Sequence, residues 1–263
     1  MNIDDKLRVT LEGGVKRITF NRPERRNAVD FEMFEAFAEA VAGSASDGTR
    51  VVVITGAGDA FCSGLDLSAV AAGDLARLDV AATVRGLINP PILRMRSMSV
   101  PFIARVHGPV GGIGFSYVLA SDVRVGSNAA TFGQTFITVG LMPDGGSTYF
   151  LSRLVGPAKA FELMATGARL AADEAMRLGI LNRVVPVAEL DAAVEELAAS
   201  LAAAPQPALA RVKGALSRAE HEELAAALDY EAEGQAECFR SADFREGVTA
   251  FMQKRPPAFG NKK

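Results

Sequence analysis

The chain of 263 residues contains no tryptophan, two cysteines and two histidines. Cys62 and Cys238 cannot build a disulfide framework, and their spacing is not that of metal ligands. His107 and His221 are too few to complete a zinc site, so no metal is expected. No apolar run approaches the roughly 18 residues of a membrane span, and no membrane partner is expected. The opening MNIDDKLRVTLEGG is acidic where a signal peptide needs a basic stretch, which makes a reducing cytoplasm the expected compartment. Basic tracts are missing beyond Arg22, Arg25, Arg26 and the terminal Lys262 and Lys263. With a formal charge of −3, a nucleic-acid role has no support. There is no G-x-x-x-x-G-K-[ST] phosphate loop either. The lack of tryptophan, beside abundant alanine, implies helix contacts through small residues.

What is present has the layout of an α/β protein. Leu7, Val9 and Leu11, then Val15, Ile18 and Phe20, alternate around Gly13-Gly14 and predict a hairpin. Asp30 predicts a helix cap, followed by Phe31, Phe34, Phe37, Ala38 and Val41 at helical spacing as far as Gly43. Arg50 to Thr55 is a β-branched run suited to a strand buried on both faces. The strand–turn–helix unit recurs at Val100–Val106, with a helix from Gly112, and at Val123–Phe132, with a helix near Gly146. Asn89-Pro90 predicts a cap and first turn for a helix through Met98. The preceding AVAAGDLARLDVAATVRGL predicts a poorly anchored helix in the irregular stretch Ser68 to Ser99. Pro205-Gln206-Pro207 breaks an alanine-rich helix and divides the chain into a core, 1–204, and a helical segment, 205–263. That segment is too small for a core of its own and is expected to pack on a neighbour.

Three segments carry chemistry. FCSGLDL (Phe61 to Leu67) and HGPVGGIGFSYVLASD (His107 to Asp122) each follow an apolar run and form glycine turns. Two turns that each offer a free backbone N–H can hold a developing oxyanion between them. GLMPDGGST (Gly140 to Thr148) adds Asp144 at the mouth of a helix. As a dinucleotide loop, Gly111-Gly112-Ile113-Gly114 fails: its spacing is not G-x-G-x-x-G, and no acidic residue ends a next strand about 20 residues on.

Together with NRPERRNAVD (Asn21 to Asp30) and EGVTAFMQKRPPAF (Glu246 to Phe259), these motifs resemble, in order, the signatures of the enoyl-CoA hydratase/isomerase (crotonase) superfamily. The resemblance runs from about Leu7 to Phe259. It implies a spiral of ββα units with a C-terminal helical oligomerisation segment, and a homotrimer or dimer of trimers. The implied partner is an acyl-CoA thioester, with coenzyme A belonging to the substrate and no cofactor. Matched residue by residue, the oxyanion donors are the N–H groups of Leu65 and Ile113. Ile113 is bulkier than the glycine or alanine usual there. Coenzyme A contacts fall on Arg25, Arg26, Ser63, Asp66, Leu67, Phe251 and Lys254. For Asp66 the alternative is a turn-stabilising Asx contact; for Arg25 and Arg26, a solvated loop. Phe251 and Lys254, one turn apart on a helix, fit ordinary packing equally well.

The carboxylates bear on the reaction. Hydratases of the superfamily use two glutamates, whose positions here hold Ser116 and Phe136. Neither side chain can act as a general base at pH 7. Asp144 resembles the single catalytic aspartate of some family isomerases and of an aromatic acyl-CoA dehalogenase. One carboxylate suits a proton shuttle that moves a double bond, in a pocket where Phe136 and Met142 would raise its pKa. The plain alternative is that Asp144 caps its helix. Hydration through Asp144 and water, and a non-catalytic acyl-CoA binder, remain as competing functions. Ser116 lacks the G-x-S-x-G context of a nucleophile and is expected to pack between helices. Cys62 is expected to be a small buried residue, and Arg105 and His107 receive no role.

Overall fold

The computed structural model describes residues 3–68, 79–218 and 220–260. The prediction of a helix over 69–87 therefore lies partly outside the described residues. A six-stranded sheet runs in the order β1 (Leu7–Glu12), β2 (Val15–Phe20), β3 (Val51–Gly56), β4 (Phe102–Val106), β6 (Val123–Ser127), β9 (Arg183–Val185), and a three-stranded sheet in the order β5 (Pro109–Gly111), β7 (Thr131–Gly133), β8 (Arg169–Ala171). β1 (Leu7–Glu12) and β2 (Val15–Phe20) form the expected antiparallel hairpin, with Leu7 opposite Phe20. Only Leu7 of β1 is buried; Val9 and Leu11 face outward on this edge strand.

From β2 onward the large sheet is parallel through β3 (Val51–Gly56), β4 (Phe102–Val106), β6 (Val123–Ser127) and β9 (Arg183–Val185). Both faces are covered, which explains the unbroken apolar runs. Val52 and Ile54 join one core with Phe102 and Phe37, whereas Val51 and Val53 join another with Leu190, Val194 and Ala198.

The run Val123–Phe132, expected as one strand, is two strands in two sheets. β6 stays in the large sheet, and β7 (Thr131–Gly133) pairs with β5 (Pro109–Gly111) and β8 (Arg169–Ala171). That alternation makes the ββα unit: β4, β5 and a helix, then β6, β7 and a helix.

Helix α1 (Phe31–Gly43) starts as its sequence requires. The Asp30 carboxylate accepts from the Met33 N–H at 3.0 Å and pairs with Lys6 at 2.8 Å. Asp30→Ala should lower unfolding free energy by about 1–2 kcal/mol in urea titrations, while Asp30→Ser should keep most of the cap. The expected cap at Asn89 is not formed. A helical turn at Val80–Thr83 runs through a π segment, Val84–Ile88, into α2 (Asn89–Ser97), so Asn89 is already helical. Its amide instead donates to the Leu228 carbonyl at 3.1 Å.

Helix α3 (Ile113–Ala120) is buried on every side, as a helix apolar all round must be. The chain continues through α4 (Ser147–Val155), α5 (Pro157–Thr166), α6 (Ala172–Arg177) and α7 (Leu190–Ala203). Beyond Pro205 come α8 (Gln206–Ser217), α9 (His221–Arg240) and α10 (Ala242–Met252). Leu224, Leu228, Ala232 and Ala236 of α9 belong to the same apolar core as Phe37 and Phe102. None of the helices described is long and apolar enough to cross a membrane.

Candidate active site

The two glycine turns meet edge to edge. Cys62 bridges Val110, with Phe61 N–H donating to Pro109 and Gly111 N–H to Cys62. Gly64 (φ +109°) lies against Gly112 (φ +51°, ψ −134°), and a Cβ added at Gly112 would come within 3.3 Å of the Gly64 Cα. Neither backbone conformation suits an L side chain, and at Gly112 the approach of Gly64 is tight as well.

This geometry leaves two N–H groups unpaired on residues that line one space. Leu65 forms a parallel bridge with Val29, in which Val29 N–H donates to Gly64 and Asp66 N–H to Val29. The Leu65 N–H therefore points away from that pairing. Ile113 is the first residue of α3, where a helix has no internal partner for its amide. Among the described residues neither N–H has an acceptor in the protein. The positive end of the α3 dipole adds to the site's preference for negative charge.

Both turns line a cavity of about 860 Å³. Asp144 and the seven residues expected to meet coenzyme A, namely Arg25, Arg26, Ser63, Asp66, Leu67, Phe251 and Lys254, line it too. Arg25, Arg26, Arg169 and Lys254 are exposed and make a cationic rim. Asn27 anchors the loop bearing the first two, its buried amide donating to the Ala57 and Ala60 carbonyls. Deeper in, the lining is apolar: Val80, Val84, Ile88, Phe136, Leu141 and Phe239.

Several expectations need correction. Lys254 is not helical: α10 ends at Met252, and Lys254 sits in the following turn with φ +53°, although it and Phe251 share the rim. Met142 does not line the cavity; its sulfur packs over Gly234 of α9. The Asp66 carboxylate accepts from the Ser68 N–H and hydroxyl and pairs with Arg22 at 2.9 Å. Burial alone would raise its pKa, but the Ser68 and Arg22 contacts outweigh burial and lower it. The Asx contact is thus formed, and Asp66 is committed as an anion to its own turn.

Asp144 does not cap its helix. The N-cap of α4 is Gly146, and the first amides are taken by a carboxylate from far along the chain. Glu231 of α9 accepts from Gly146 N–H at 2.7 Å, Thr148 N–H at 2.9 Å and the Thr148 hydroxyl. Asp144 Oδ2 accepts from the Gln235 amide at 2.7 Å, and Oδ1 is buried with no partner among the described residues. Burial pushes the Asp144 pKa up to about 6, and the Gln235 hydrogen bond opposes the rise only in part. Ser116 is fully buried and donates to the Asp144 carbonyl at 2.7 Å; its hydroxyl also meets that of Ser147. It is packed and bonded away from the cavity, as the absence of a nucleophile context implied.

Sequence reasoning missed Glu231 and Gln235. The available signal was two polar residues four apart inside the Leu224, Leu228, Ala232, Ala236 stripe of α9, where a buried polar group requires a partner. Arg105, which had no assigned role, joins β4 to α7 through Asp191 at 2.6 Å and touches His107 Nδ1 at 3.1 Å. Cys62 is fully buried, and desolvation pushes its thiol up to about 12, well away from reactive thiolate character.

Comparison with known proteins places these features among relatives. The family model described as enoyl-CoA hydratase/isomerase matches residues 10–262. A probable enoyl-CoA hydratase of Rhodobacter capsulatus is 38% identical over 253 residues, covering 96% of this chain and 97% of its own. The 1,2-epoxyphenylacetyl-CoA isomerase of Escherichia coli is 36% identical over 254 residues, with 96% and 97% covered. The crystal structure of an enoyl-CoA hydratase from Mycobacterium avium subsp. paratuberculosis superposes with a TM-score of 0.88 at 35% identity, covering 97% of this chain and 99% of that one.

Proposed function

The chain belongs to the enoyl-CoA hydratase/isomerase family, and we propose that within it this protein shifts a double bond in an enoyl-CoA by a one-base proton shuttle. One observation carries the reading. The Asp144 carboxylate, buried and with one oxygen unpartnered among the described residues, lines the same cavity as the Leu65 and Ile113 N–H groups.

A thioester bound with its carbonyl oxygen between those donors becomes acidic at the α-carbon. Asp144 removes an α-proton from a 3-enoyl-CoA, and the negative charge of the resulting dienolate rests on the thioester oxygen. The protonated Asp144 returns the same proton to the γ-carbon, giving a 2-enoyl-CoA with no atom gained or lost. A base with a pKa near 6 is matched to this work: largely ionised at pH 7, yet able to hold a proton between the two steps.

Hydration would need a second group to activate water. Of the other carboxylates on the described lining, Glu24 is exposed at the rim and Asp66 is held by Arg22 and Ser68. A homotrimer or dimer of trimers belongs to the same proposal. Exposed apolar side chains such as Val212 and Leu216 on α8 offer surface for contact between copies.

The test supplies 3-enoyl-CoA and 2-enoyl-CoA to the wild type across pH 4.5–8.5. We expect isomerisation to exceed hydration, with kcat/KM rising through an apparent pKa near 6 as Asp144 ionises. Hydration of 2-enoyl-CoA with no isomerisation would replace this reading by the hydratase one. Tight coenzyme A binding without turnover of either thioester would leave a binding protein.

A further inference from the structure

A carboxylate placed three residues before a helix start has a strong local alternative to catalysis. Asp is among the best helix caps, and the free amides of the first turn lie within reach of its own side chain. In this protein the Gly146 and Thr148 amides are already occupied. Glu231 reaches across from α9 and takes Gly146 N–H, Thr148 N–H and the Thr148 hydroxyl on its two oxygens. One turn further along the same face of α9, Gln235 donates to Asp144 Oδ2. From the other side, Ser116 fixes the Asp144 carbonyl. Glu231 and Gln235 are 0% and 2% exposed, so both are set by the packing of α9 rather than by solvent.

We infer that Glu231 and Gln235 are positioning residues for Asp144: Glu231 caps α4 in place of Asp144, and Gln235 holds one carboxylate oxygen so that the other is free for the substrate. The inference rests on the reading of Asp144 as the base. It adds that the base is aimed by α9, about 90 residues downstream, and not by its own loop. Without Glu231 the vacant amides would draw the Asp144 carboxylate back onto its helix. Without Gln235 the carboxylate would lose the donor that, among the described residues, favours its ionised form. Among the described residues, burial raises the pKa of Glu231 and of the Tyr117 hydroxyl, and the nearby Asp144 charge adds to both.

The test uses the full chain with Gln235→Met, Glu231→Leu and Glu231→Gln, each checked for folding by circular dichroism. Kinetics with a 3-enoyl-CoA are paired with 13C NMR titration of the Asp144 carboxyl. Gln235→Met should lower kcat about tenfold, leave KM within about twofold, and move the carboxyl titration to higher pH. Glu231→Leu should lower kcat further, and Glu231→Gln, which still presents an acceptor to α4, should recover most of it. A purely structural role would change melting temperature and leave the carboxyl titration of Gln235→Met where it is in the wild type. An unmoved titration with unchanged kcat in the folded Gln235→Met variant overturns the inference. The NMR arm needs no turnover, so loss of the one-base reading, shown by full activity in Asp144→Asn, is distinguishable from loss of this one.

Discussion

Asp144→Asn should lower kcat/KM for 3-enoyl-CoA isomerisation by about a thousandfold while making the protein more stable at neutral pH. The first effect follows from removing the general base, a contribution of about 10²–10⁴. Asn keeps the volume and can still accept from Gln235, so binding of the thioester should change little. The second effect follows from proton linkage. Burial raises the Asp144 pKa from 3.8 to about 6. Below pH 4 folded and unfolded chains both hold the proton, and the residue costs nothing. Between pH 4 and 6 the unfolded chain loses it while the folded chain keeps it, so stability falls as pH rises, by roughly 3 kcal/mol in full. Asn bears no such cost. Urea titrations should therefore show the variant more stable than the wild type at pH 8, with the gap closing near pH 4. A variant equally active would remove Asp144 from the chemistry. One less stable at pH 8 would mean that its carboxylate is better solvated than its burial implies.

Ile113→Pro should reduce kcat by about a hundredfold or more through the loss of one backbone N–H donor. Removing one oxyanion donor elsewhere costs about 2.7–4 kcal/mol. Proline ordinarily breaks a helix, but at its first position the missing N–H has no intrahelical partner to lose. Gly112, with φ +51° and ψ −134°, is outside the α region that proline forbids to its predecessor, and has no Cβ to clash. The substitution also shortens a buried side chain, so Ile113→Ala is the control: it keeps the N–H and removes more side-chain volume. A large loss in proline with a small loss in alanine assigns the effect to the amide. Equal losses would assign it to packing in the pocket, and the Ile113 N–H would not be a donor to the reacting oxygen.

These two residues show where the sequence was legible. Gly64 and Gly112 could be read because a tight turn restricts residue type at one position, and the apolar runs before them could be read because strands buried on both faces require them. The division of Val123–Phe132 between two sheets could not, since the break at Asn128–Ala130 changes the partner strand and not the character of the residues. The same limit applied to the C-terminal end: Phe251 and Lys254 reach the rim, but Lys254 does so from a left-handed turn and not from the expected helix face.

The sequence by itself determined the family, the two backbone donors as candidates, and the absence of carboxylates at positions 116 and 136. All of these are properties of residue identity and short-range spacing. It left Asp144 divided between cap and base, because both readings need the same residue at the same place. Only the tertiary structure removed the cap reading, by bringing Glu231 to the amides of α4 from 85 residues away along the chain. It likewise supplied Gln235, 91 residues from the carboxylate it holds. A buried polar side chain must find a partner, but which partner depends on how helices pack, and that information is spread over the whole core.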